Sequence, residues 1–98
     1  MTEKPVFSII VPVYNEASCL HELYRRMVEV MDRTGRPWEL VLVNDGSVDE
    51  SPQIIRELAK ADPRVRPVMF ARNFGHQIAV TAGLDYSRGD AVIIIDAD

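Results

Sequence analysis

Four short apolar runs, Val6 to Val13, Leu40 to Val43, Val65 to Phe70 and Ala91 to Ile95, recur along the chain with room for a helix between each pair. They are rich in Val and Ile and do not alternate with polar residues. That pattern marks strands buried on both faces, as in a parallel sheet covered by helices. The intervening segments carry the helical period. After Glu16, the residues Leu20, Leu23, Tyr24, Met27, Val28 and Met31 fall on one face of a helix that Gly35 and Pro37 end. Ser47-Val48-Asp49-Glu50 has the spacing of a capping box, with Pro52 in a first turn and Ile54, Ile55 and Leu58 as the apolar face before Asp62-Pro63. From Gly75 to Ser87 the residues Ile78, Ala79, Ala82 and Tyr86 can face a sheet, with Gly83 permitting close approach and Gly89 placed as a C-terminal cap. The order is therefore βαβαβαβ, and right-handed crossovers leave few topologies. The expected fold class is α/β: a Rossmann-like doubly wound parallel sheet, four strands in the order 3-2-1-4 with three helices. The first two helices cover one face and the third covers the other, so the last strand is an edge with no partner beyond it, open to self-association.

With 98 residues, 47% hydrophobic and 27% charged, the chain allows a single domain with a real but modest core. A net charge of -4 without a basic run speaks against nucleic acid as a partner. The single Cys19 excludes an internal disulfide and a cysteine metal cluster, and it fits a reducing, cytoplasmic compartment. No apolar stretch reaches the ~18 residues of a membrane span, and the first residues lack the apolar core of a signal peptide. The segment is expected to be soluble.

In an open α/β sheet, ligands bind outside the carboxyl ends of the strands. Here those ends are polar: Pro12-Val13-Tyr14-Asn15-Glu16, Asn44-Asp45-Gly46-Ser47, Arg72-Asn73-Phe74-Gly75 and Asp96-Ala97-Asp98. Residues i and i+2 of an extended chain point the same way, so Asp96 and Asp98 present their carboxylates together. Such a pair suits a hard divalent cation, Mg²⁺ or Mn²⁺, which binds through carboxylates and substrate phosphates; a capped strand end is the plainer alternative. Tyr14 offers a nucleobase a flat apolar surface, and Asp45 can accept from a ring N–H or a ribose hydroxyl. Gly46 and Ser47 are expected to open a helix with free N–H groups for an anion, with Glu50 a competitor for them. Arg72 suits either a phosphate or a surface acid. His21 and His76 are expected to be solvated and Trp38 to pack.

On these motifs the chain resembles the family-2 glycosyltransferases of the GT-A fold, through Val11-Pro12-Val13-Tyr14-Asn15-Glu16, Asn44-Asp45-Gly46-Ser47 and Asp96-Ala97-Asp98. Ala71-Arg72-Asn73-Phe74-Gly75-His76, with Gly89-Asp90 before the final strand, looks most like the polyprenyl-phosphate sugar transferases. Asn44 departs from the pattern, where the family often has an acid. The resemblance implies that residues 1–98 are the N-terminal nucleotide-sugar-binding part of a glycosyltransferase domain, truncated at the Asp-x-Asp motif. It implies that Pro12, Tyr14, Glu16, Val43 and Asp45 hold the nucleoside, and that Asp96, Ala97 and Asp98 meet the ribose, diphosphate and metal.

The implied activity is transfer of a hexose, with inversion, from a UDP or GDP sugar to an acceptor, a polyprenyl phosphate in the lipid-linked branch of cell-envelope glycan synthesis. Asp96 and Asp98 would be the catalytic metal ligands. The parent would work at the cytoplasmic face of the membrane, meeting lipid only through parts that this chain does not contain, and the chain alone would not turn over. Two other readings stay open: a non-catalytic nucleotide-binding module, and a phosphohydrolase whose Asp attacks phosphorus.

Overall fold

The computed structural model describes residues 4–97. The elements follow in the order β1 (Phe7–Val13), α1 (Ala17–Asp32), β2 (Trp38–Asn44), α2 (Ser51–Ala61), β3 (Val65–Met69), α3 (His76–Tyr86) and β4 (Ala91–Ile94). The four strands form one sheet in the order β3-β2-β1-β4, and every pairing is parallel. Both the expected fold class and the strand order are borne out.

Side chains of successive strand residues go to opposite faces, and two cores result. Ile9, Val11 and Val13 of β1 join Trp38, Leu40 and Leu42 of β2 beneath Leu20 and Met31 of α1 and Ile54 and Ile55 of α2. On the other face Ile10, Val41, Val43 and Val68 meet Ala79 of α3. Burying each such Ile, Leu or Val contributes about 1.5–3 kcal/mol, so the doubly covered β2 is the thermodynamic centre of the molecule. All seven residues of β2 are buried. Trp38 packs as expected, its Nε1–H donating to Asp32 and the Arg64 guanidinium lying 4.2 Å over its ring.

Three local expectations fail. The capping box does not form: α2 starts at Ser51, after a bend over residues 48–50, and no side chain caps it. The reason is tertiary, because Ser47 Oγ accepts from the Asn15 N–H of the loop after β1, and the Ser47 N–H donates to Asn44 Oδ1 rather than to Glu50. On α3, Ala79 and Gly83 face the sheet, while Ile78 and Tyr86 are about half exposed. A Cβ on Gly83 would lie 2.4 Å from Ile10 Cγ2, so the glycine lets α3 sit close, as expected. Gly89 is no helix cap: Ser87 ends α3, and the Gly89 N–H donates to Ser8 Oγ at 2.8 Å.

The edge strands differ. On β3, Pro67 is exposed, a residue that blunts an edge by removing a donor. On β4, all four residues are exposed and, among the described residues, only β1 pairs with it. The burial on both faces expected from the fourth apolar run is absent there.

Candidate functional site

The loops after β1 and β2 are stitched together at the carboxyl end of the sheet. Asn15 adopts φ 54, a left-handed conformation that Asn tolerates better than most residues. Its Oδ1 accepts from the Val48 N–H at 2.8 Å, and its own N–H donates to Ser47 Oγ at 2.9 Å. The Glu16 N–H donates to Ser51 Oγ, and the Ala17 N–H to Asp49 Oδ2. Burial alone would raise the Asp49 pKa, but hydrogen bonds from Ser51 and Ala17 outweigh it and hold the carboxyl below its ordinary value. With its neighbours tied down in this way, Tyr14 projects outward, 48% exposed.

Asp45 is 3% exposed, and its carboxylate organises the entry to α3. Oδ1 accepts from the Phe74 N–H at 2.7 Å, while Oδ2 accepts from the Gly75 N–H at 3.0 Å and Asn73 Nδ2 at 3.1 Å. Three donors leave room for one more on a carboxylate that has about four acceptor sites. Gly46 makes this contact possible, since it has φ +70 and a Cβ there would lie 2.2 Å from the backbone of Arg72 and Asn73. Gly46 and Ser47 therefore do not open a helix, and the anion site expected there is overturned.

These connections leave a cleft of ≈ 410 Å³, lined by Pro12, Val13, Tyr14 and Glu16 after β1, by Asp45 after β2, by Asn73, Gly75 and His76 at the start of α3, and by Asp96 and Ala97 after β4. Six of the residues named from sequence meet there: Pro12, Tyr14, Glu16, Asp45, Ala97 and Asp96. Val43 does not line the cleft, being fully buried in the core under α3. Arg72 is outside the cleft wall, its guanidinium 4.3 Å over the Phe74 ring. Asp98 lies outside the described residues.

A divalent cation is the group that the motif implies. Among the described residues no three His, Cys, Asp or Glu side chains are grouped to hold one. Asp96 is exposed on the cleft wall with no hydrogen-bond or ion-pair partner among those residues, and a carboxylate oxygen is the donor that Mg²⁺ and Mn²⁺ prefer. One free carboxylate facing a pocket that has space for phosphates fits such an ion held jointly by protein and substrate.

The profile described as "Glycosyl transferase family 2" matches residues 8–98. The chain belongs to that family. It is 58% identical over 92 residues to "Uncharacterized glycosyltransferase YkcC" of Bacillus subtilis (strain 168), covering 94% of this chain and 28% of the relative. It is 45% identical over 92 residues to "Undecaprenyl-phosphate 4-deoxy-4-formamido-L-arabinose transferase" of Edwardsiella ictaluri (strain 93-146), covering 93% of this chain and 28% of that protein. Among solved structures, the mannosyltransferase PcManGT from Pyrobaculum calidifontis, in complex with GDP-Man and Mn²⁺, superposes with a TM-score of 0.81 at 30% identity, over 99% of this chain and 28% of its own. The fold matches the GT-A glycosyltransferase architecture. The chain thus spans less than a third of the length of the curated relatives it matches.

Sequence reasoning placed Val13, Asn73 and Gly75 in the clusters at the strand ends without giving them a role, and it missed His76 as a wall of the cleft. His76 is exposed, as expected, yet it stands on the rim because Gly75, at φ +106, turns the chain into α3 there. The position of a helix start beside the switch point between β1 and β4 was the available signal.

Proposed function

We propose that this chain is the donor-binding part of an inverting glycosyltransferase that moves a hexose from a nucleoside-diphosphate sugar to an acceptor, a polyprenyl phosphate in the parent enzyme. One observation carries the reading: the tips of β1, β2 and β4 bring Tyr14, Glu16, Asp45 and Asp96 to a single cleft. The name of the Edwardsiella relative supports the lipid phosphate, and the nucleotide sugar bound by the Pyrobaculum enzyme supports the donor.

In this reading the base stacks on the exposed ring of Tyr14, with Pro12 forming the wall. Asp45 uses its remaining acceptor site for a ring N–H, and Glu16 accepts from the ribose. Because three donors already fix Asp45, the base meets an acceptor that does not reorganise. Asp96 and Asp98 hold Mg²⁺ or Mn²⁺, with Ala97 between them against the diphosphate. Once bound, the ion supplies Lewis-acid stabilisation of the departing diphosphate. Neither aspartate moves a proton. A phosphate acceptor with a second pKa of about 6 is already anionic near neutrality and needs little base catalysis.

Calorimetry with UDP and GDP sugars, with and without Mn²⁺, tests donor binding by the chain, and metal-dependent binding of one nucleotide class is the expected result. In the complete enzyme, Asp98→Ala abolishes metal-dependent transfer; near-normal turnover by that variant would refute the metal assignment. Binding without turnover in the complete enzyme would identify a non-catalytic module instead.

A further inference from the structure

The amino end of the sheet, opposite the cleft, holds a buried carboxylate that the donor site does not use. Glu39 of β2 is 1% exposed. It accepts from Ser8 Oγ at 2.6 Å, the Arg88 N–H at 2.7 Å, Arg66 Nη1 at 3.0 Å and Arg88 Nε at 3.1 Å. Four donors fill the acceptor capacity of a carboxylate. Burial alone would push its pKa up, but these hydrogen bonds outweigh that and hold it below the ordinary value. Arg66 also donates to the Tyr86 carbonyl, and the Gly89 N–H to Ser8 Oγ. One side chain on β2 thereby ties together β1, β3 and the connection that leads from α3 into β4.

That connection matters because β4 has few other restraints. It pairs over four residues, Phe7↔Ala91 to Ile10↔Ile94, and all four of its own residues are exposed. Ile95 and Ala97, just beyond it, pack against the core, and the ladder and the cluster at its entry hold the strand itself. Asp96 follows two residues beyond its end. A slip of one residue would turn each β4 side chain to the opposite face and move Asp96 with them.

We propose that Glu39 is a positioning residue for the donor cleft: through Ser8 and Arg88 it locks the register of β4 and so sets where Asp96 stands. The anchoring of β4 is independent of the function proposed above, whereas its consequence for metal binding rests on that reading.

The test compares Glu39→Gln and Ser8→Ala with Ile55→Ala, a core substitution in α2 remote from β4. Amide hydrogen exchange is followed at Ala91 and Ile95, which bond to the Val6 and Ile10 carbonyls, and at Leu40, which bonds to the Arg64 carbonyl. Loss of a charge-assisted bond at the anchor should accelerate Ala91 and Ile95 roughly tenfold more than Leu40, while Ile55→Ala accelerates all three alike. Equal acceleration of all three in the anchor variants would overturn the proposal. If Glu39→Gln does not fold, Ser8→Ala, which removes one hydroxyl, decides. Mn²⁺ affinity, read from broadening of the Asp96 and Ala97 signals with nucleotide present, should fall in the anchor variants and hold in Ile55→Ala. No Mn²⁺ broadening in the unsubstituted chain would count against the donor-site reading, and the exchange measurement would still decide the anchor.

Discussion

At the amino end of the sheet, Glu39 and Asp62 are each ringed by donors; at the carboxyl end, Asp96 stands beyond β4 with no partner among the described residues. Asp62 accepts from Tyr24 Oη at 2.6 Å and Arg64 Nη2 at 2.9 Å, and Arg64 reaches on to Asp32. Among the described residues every buried side-chain nitrogen or oxygen has a partner. A carboxylate whose acceptor sites are filled from within the chain fixes backbone, and one left open in a concavity is available to a ligand. Asp45 stands between the two cases. Three internal donors make it a structural tie, and it also lines the cleft.

The sharpest way to break this contrast is Asp96→Ala in the complete enzyme. An open ligand position predicts a fall of about 10²-fold or more in metal-dependent transfer with an unchanged folding transition. A large loss of stability with modest loss of rate would put Asp96 in the structural class. Gly46→Ala should do the reverse. The left-handed φ and the contact with the Arg72 backbone predict a loss of about 2–4 kcal/mol of stability, read from urea unfolding, before any effect on ligand. Tyr14→Ala should weaken nucleotide binding about tenfold, the contribution of one stacked base, and leave the urea midpoint unmoved because the ring is exposed.

The smallest effect concerns acid. Burial would raise the Asp62 pKa, but Arg64 and Tyr24 outweigh it and bring it to about 2 from an ordinary 3.8. A folded-state pKa below the unfolded one means that this contribution is complete above the unfolded value and is lost as pH falls from there toward the folded value. Stability should therefore decline between about pH 4 and pH 2. Asp62→Asn should flatten that limb in urea titrations; an unchanged slope would remove Asp62 from the account.

Much of this was legible in the sequence where local pattern and tertiary environment agree. The continuous apolar run Leu40 to Val43 became the central strand, and the handedness of three crossovers led to the observed order. The apolar positions of α1 likewise face the core, with Leu20 and Met31 fully buried. On α3 the apolar residues surround the helix, so Ile78, Val80, Ala82 and Leu84 gave no unique face, and only the fit of Ala79 and Gly83 against the sheet selects one. The capping box failed because the Ser47 hydroxyl accepts from Asn15, thirty-odd residues earlier, and the Ser47 N–H goes to Asn44, which the box spacing does not reveal. Glu39 had no signature either, since its meaning depends on Ser8, Arg66 and Arg88 arriving from three distant segments. The site was readable as a set of strand tips; the way Asn73 and His76 complete it depends on how Gly75 turns the chain.

The contact beneath Gly83 also gives α3 the mechanics of a seesaw. Volume added at that point must be absorbed by Ile10 and Val43 or by tilting the helix. His76 lies seven positions away, roughly 10 Å along the axis, so a tilt at the fulcrum becomes a change in the gape of the cleft. The width of the opening is thus adjustable by the bulk of one buried residue that does not line it.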